Sequence, residues 1–184
     1  MIYSKRFQAT KSALAGIIAG SIEPADLSHA ENIVNWLLIL EPKADEALQL
    51  AAYGHDVERA RPDRFTAKMF ETYDDYKRAH AARAGQMVAE IALEAGYVPA
   101  VTERIARIIE AAEFSSADPD VQLICDADSI SFFDNNLSYY VEAHGLDNAQ
   151  EKCRFMFERA SVRAQRHIQQ VLSAKPELNL LDTI

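Results

Sequence analysis

The chain has 184 residues, 49% of them hydrophobic and 26% charged, with a formal net charge of -9. That length and balance suit one globular domain with a sizeable core and exclude a disordered or fibrous chain. The acidic excess excludes the broad Lys/Arg face that neutralises duplex phosphates, so no double-stranded nucleic acid is expected as a partner.

The first element is an apolar run, ALAGIIAG, that follows two basic residues near the N-terminus. It lacks a small-residue cleavage site and is shorter than the ~18 to 20 apolar residues of a membrane span. It reads as a helix over about residues 5–19, and no other apolar run is longer, so the expectation is a cytoplasmic protein without a membrane partner. Ile33, Trp36, Leu37 and Leu40 have helical spacing, and Ser28-His29-Ala30-Glu31 has the Ser-x-x-Glu form of a capping box, which predicts a helix over 28–40. After Pro42 a helix is predicted over 44–57, then a loop over 61–64 and a long helix over 66–95 carrying Met87, Val88 and Ile91. Gly96 to Pro99 ends it. Val101, Ile105, Ile108 and Ile109 mark a helix over 98–113, and further helices are predicted over 119–143 and 147–173, separated at Gly145. No alternating strand, repeat or low-complexity tract interrupts the pattern. Cys125 and Cys153 are too few for a disulfide framework and are expected to pack as small apolar residues.

Several polar side chains fall on apolar faces of these helices. His29 is in phase with Ile33, Trp36 and Leu37, and His80 with Ala84, Met87, Val88 and Ile91. His55 continues the line from Leu48 and Ala51, with Asp56 beside it near a helix end. In QLICDADSISFF, Asp128 is in phase with Ile124 and Phe132, and Asp126 with Ile130 and Phe133. Taken singly, a satisfied core histidine or a capping aspartate explains each. Together they are a set of buried carboxylates and imidazoles, tolerable mainly where they share hydrogen bonds or a cation, and a mixed set of this kind suits Mn, Fe, Co, Ni or Zn.

At these residues the chain resembles the HD superfamily of helical metal-dependent phosphohydrolases. His29, His55-Asp56 and an aspartate of Cys125-Asp126-Ala127-Asp128 stand in the order His…His-Asp…Asp over residues 25–135. The resemblance implies an all-α, single-domain HD-type helical bundle with its core in 25–135, C-terminal helices over 136–174 and a tail over 175–184. It also implies a divalent metal (Mn, Fe, Co, Ni, Zn or Mg) held by His29, His55, Asp56 and either Asp126 or Asp128, and a small phosphorylated metabolite or nucleotide as substrate.

The Ala-Asp-x-Leu pattern of many members matches Ala127-Asp128-Ser129-Ile130 and favours Asp128. The chain is also similar to a family catalogued only as a domain of unknown function with a Leu-Glu-Asp motif, through Trp36, Asp118-Pro119 and the segment His80 to Gly85; that match favours Asp126, and its members carry Gln-His at the doublet. Two residues apart on a helix, both aspartates cannot point the same way. Binuclear HD proteins add two histidines after the doublet. His80 is placed for the first, and Glu110 or Glu113 is the only substitute for the second, so one ion is expected.

For the chemistry, Glu58 is the nearest carboxylate for moving a proton and, with Arg59, the expected catalytic pair, while Arg61, Arg64 and Lys68 lie where a loop could clamp phosphate. HD nucleotidases often have glutamate at the position of Arg59. Tyr73 and Tyr76 could stack on a base, and ordinary surface roles are expected for His144 and His167. An HD-type iron oxidase and a noncatalytic ligand- or partner-binding module are the alternatives, and the amphipathic helices leave room for a homodimer face.

Overall fold

The computed structural model describes residues 3–114 and 116–175, so the end of the expected tail lies outside the described residues. It is all-α. The helices are α1 (Lys5–Ile18), α2 (Asp26–Leu40), α3 (Glu46–Gly54), α4 (Tyr73–Glu94), α5 (Pro99–Ala111), α6 (Pro119–Ser131), α7 (Leu137–His144), α8 (Leu146–Glu158) and α9 (Val162–Ala174). Among the described residues no helix is long and apolar enough to cross a membrane.

Local chemistry sets most helix starts. Ser4, Asp45, Thr72, Asp118 and Ser161 each accept a first-turn backbone N–H with their side chains, and Pro99 and Pro119 occupy first-turn positions where no N–H is needed. Gly145, with φ of 80°, takes the left-handed turn between α7 and α8 that favours glycine.

Four expectations need correction. The capping box at Ser28 does not form: α2 starts at Asp26, the Ser28 hydroxyl donates to the Ala25 carbonyl, and Glu31 accepts from Lys11 and Tyr53. The helix expected over 44–57 stops at Gly54, and Val57–Ala60 tightens into a 3-10 turn. The long helix begins at Tyr73 rather than 66, because Phe65, Phe70 and Tyr76 pack ring to ring and hold the preceding chain around a second 3-10 turn, Ala67–Met69. The helix expected over 147–173 breaks at Ser161, whose N–H and hydroxyl donate to Asp126 of α6 at 2.8 and 2.6 Å.

One apolar core runs from Phe7 on α1 to Leu172 on α9. At its centre α6 packs against α2, α3, α5 and α9, and α2 also packs on α3. A π-helical turn, Phe132–Asn136, joins α6 to α7 and turns Asp134 to accept from Asn32 and Trp36 of α2. Helices α4 and α5 approach closely at Gly85, where an added Cβ would lie 2.9 Å from the Ala106 carbonyl oxygen. Gly85→Ala is therefore expected to destabilise the fold by about 1–3 kcal/mol through overpacking, outweighing the ~1 kcal/mol gain in helix propensity. Thermal melting checks this, and an unchanged or raised Tm would mean that α5 yields.

Candidate metal centre

Three packed elements bring the motif side chains to one point. His29, on α2, presents Nε2 at 3.1 Å from Asp128 Oδ1 on α6. His55, capping the end of α3, presents Nε2 at 3.7 Å from the same oxygen and 3.3 Å from Asp56 Oδ2. Close packing allows this approach: a Cβ on Gly54 would lie 2.4 Å from Val88 Cγ2, so only glycine lets the end of α3 press against α4. The ligand-type atoms of His29, His55 and Asp128 all lie within 4.8 Å of one another.

Both imidazoles are fixed from behind. His29 Nδ1 lies 2.8 Å from the Ser131 hydroxyl, and His55 Nδ1 is 3.0 Å from the Ala52 carbonyl oxygen. A carbonyl only accepts, so His55 Nδ1 carries the proton and its Nε2 turns a lone pair towards two carboxylates unless a second proton or a cation intervenes. In the absence of a metal a proton fills that role: burial alone would lower the His55 pKa, yet Asp56 and Asp128 outweigh it and hold the imidazole well above its ordinary value. Burial likewise opposes ionisation of the aspartates, but Arg59 and His55 keep Asp56, and Arg159 and the two histidines keep Asp128, well below the usual carboxylate range. Arg59 Nη1 is 2.7 Å from Asp56 Oδ2, and Arg159 donates to Asp128.

The structure separates the two candidate aspartates. Asp128 faces the histidines, whereas Asp126, 4% exposed, turns away to Gln122 and Ser161 and ties α6 to the start of α9.

A second group adjoins the first through Asp56. The ligand-type atoms of Asp56, His80 and Glu113 also lie within 4.8 Å of one another. His80 sits between two carboxylates, with Nε2 3.1 Å from Asp56 Oδ1 and Nδ1 2.8 Å from Glu58 Oε2. Its pKa is raised, burial being outweighed by those two contacts. Glu113 also meets Lys77, whose Nζ is 3.5 Å from its carboxylate, while Glu110 is exposed.

The structure places the residues expected to act in the loop as follows. Glu58 is fully buried, accepts the Phe65 backbone N–H at 2.7 Å and meets His80 Nδ1 at 2.8 Å, so it reaches the cluster through His80. No hydrogen bond or ion pair among the described residues joins Arg61, Arg64 or Lys68 to the cluster: Arg61 pairs with Asp63, and Lys68 is exposed on the 3-10 turn. The cations beside the cluster are Arg59, Lys152 of α8 and Arg159 at the C-cap of α8, the last two of which the sequence reading missed. Lys152, Phe155 and Arg159 recur at i, i+3 and i+7, a helical stripe that could have flagged them. Lys152 and Arg159 both lie against the Phe155 ring, at 5.3 and 5.2 Å from its centroid. His144 and His167 stand apart, against Tyr140 and Trp36 respectively.

Compared with known protein families, residues 10–181 match the family described as "Domain of unknown function (DUF4202)". No curated protein and no solved structure matches the chain.

Proposed function

We propose that this chain, which belongs to the DUF4202 family, is an HD-type metal-dependent phosphohydrolase that cleaves a phosphate ester of a small metabolite or nucleotide. One observation carries the reading: His55, its Nδ1 committed to the Ala52 carbonyl, aims Nε2 at Asp56 and Asp128 beside His29. Two imidazole nitrogens and two carboxylates around one point suit Mn, Fe, Co, Ni or Zn better than Mg, which prefers oxygen ligands and retained water. His29, His55, Asp56 and Asp128 would hold the ion. A divalent cation bound there lowers the pKa of water and polarises a phosphoryl oxygen. Arg59 and Arg159, ion-paired beside the ligands, are placed to receive non-bridging oxygens. His80, held by Glu58 and 3.1 Å from Asp56, would hand on a proton beside the ligand set.

Metal analysis of protein purified without chelator is expected to give about one equivalent of Mn, Co or Ni, and a phosphate-release screen over nucleotides and sugar phosphates should then find turnover. Retention below about a tenth of an equivalent, with no gain on adding these ions, would sink the reading. A noncatalytic module is the second reading, favoured by Asp56 and Asp128 each being matched already by an arginine; metal retention without phosphate release from any substrate would support it.

The pH dependence follows from His55. Its folded pKa lies above the unfolded 6.5, so in metal-free protein its contribution to stability is full below about pH 6.5 and is lost as pH rises through the folded value. Metal binding requires the neutral ring, so at pH 7 it should release roughly one proton per ion. Calorimetry in buffers of different ionisation enthalpy measures that release.

A further inference from the structure

The charges around the metal centre balance only in part. Carboxylates of Asp26, Asp56, Glu113 and Asp128 couple electrostatically to Arg59, Lys77, Lys152 and Arg159. Four acidic groups thus meet four basic side chains, and Glu58, behind them, is matched by Arg83. Counting carboxylates, guanidinium and ammonium groups and leaving the imidazoles aside, a divalent ion in the His29/His55/Asp56/Asp128 cluster would add at least two positive charges without counterpart, in a protein whose overall charge is -9. Unmatched charge among largely buried side chains is costly, so the loaded site calls for a ligand bringing at least two negative charges.

The four basic side chains differ in what they already hold. Arg59 is engaged by Asp56, Arg159 by Asp128, and Lys77 by Glu113. Lys152 alone of the four has neither hydrogen bond nor ion pair among the described residues; its ammonium lies between the Phe132 and Phe155 rings, 5.9 and 5.3 Å from their centroids. Its three N–H groups therefore have no oxygen acceptor among the described residues. Burial and the neighbouring arginines pull its pKa down to about 8, a state that an arriving anion would reverse.

We infer that Lys152, with Arg159 about two helical turns further on at the C-cap of α8, forms an anion subsite that takes the doubly charged terminal phosphate of a phosphate monoester and selects it over a diester. The inference rests on the phosphohydrolase reading and narrows its substrate class. A monoester presents three non-bridging oxygens and two charges near neutral pH, enough to satisfy both the surplus charge and the free ammonium. A diester has one charge and two such oxygens and leaves Lys152 without a partner, which is the costly arrangement.

The test is calorimetric binding of inorganic phosphate and of dimethyl phosphate to the full chain loaded with Mn, for the parent, Lys152→Met and Lys152→Arg. Methionine keeps the apolar stem between the two rings, so the fold is expected to stand, and metal content is measured in each sample. The parent should prefer inorganic phosphate by at least about tenfold, Lys152→Met should lose about tenfold in phosphate affinity with Mn content unchanged, and Lys152→Arg should recover most of it. A Lys152→Met variant that binds phosphate as the parent does, or a parent that holds Mn and shows no preference between the two anions, overturns the subsite and leaves the metal centre standing. A parent that retains no Mn overturns the metal centre and the subsite together.

Discussion

Asp128→Ala is expected to release the metal and cut phosphate hydrolysis by more than about a hundredfold, while Asp126→Ala keeps the metal and loses stability instead. The two aspartates lie on one helix two residues apart, and their surroundings are opposite. Asp128 Oδ1 stands 3.1 and 3.7 Å from the Nε2 atoms of His29 and His55, so its removal takes away the oxygen common to both histidines. Asp126 accepts from the Ser161 backbone N–H, the Ser161 hydroxyl and Gln122 Nε2, at 2.8, 2.6 and 2.8 Å. Truncating it leaves buried donors unsatisfied and loosens the start of α9, at an expected cost of about 2–4 kcal/mol. Metal content and denaturant unfolding on the same two variants separate the roles. Loss of metal in Asp126→Ala with retention in Asp128→Ala would invert the assignment.

Glu58→Ala is expected to be the most destabilising single change in the loop, by about 3–5 kcal/mol, which lowers Tm by roughly 6–20 °C in a chain of this size. The carboxylate is fully buried and is shared by His80, the Phe65 N–H and Arg83, so its loss leaves the Phe65 N–H without its acceptor and His80 and Arg83 each with one carboxylate, Asp56 and Asp63, in place of two. Burial opposes its ionisation, but His80, the Phe65 N–H and Arg83 together lower its pKa below 4.5. Its contribution to stability is accordingly present above about pH 4.5 and is lost as pH falls through the lower folded value. A direct proton-transfer role would instead give a stable, inactive Glu58→Ala; thermal melts and assays on Glu58→Gln, which keeps the shape, distinguish the two. Glu58→Gln weakens the support for His80 and should shift the acid limb of the activity profile rather than abolish turnover.

The amino-acid pattern alone determined the all-helical class, the places where most helices begin and end, and the inward direction of His29, His55 and His80. These are short-range properties: side-chain phase on a 3.6-residue period, a proline in a first turn, a glycine with positive φ at residue 145. It also brought Asp128 and Asp126 equally towards the core, because both are in phase with apolar neighbours, and could not choose between them. The choice belongs to contacts across long stretches of chain. Ser161, 35 residues downstream, claims Asp126, and His29, 99 residues upstream, meets Asp128. The same separation explains the unexpected break in the last predicted helix, which contains no glycine or proline and is interrupted where Asp126 holds the Ser161 backbone. It also explains why Glu58, which looks like an available acid beside the doublet, is buried under His80, and why Lys152, among the described residues, stands beside the cluster with no carboxylate partner. Periodicity fixes which way a side chain leaves its own helix; only packing of the helices against one another decides which charges meet, and the chemistry proposed for this protein lies in those meetings.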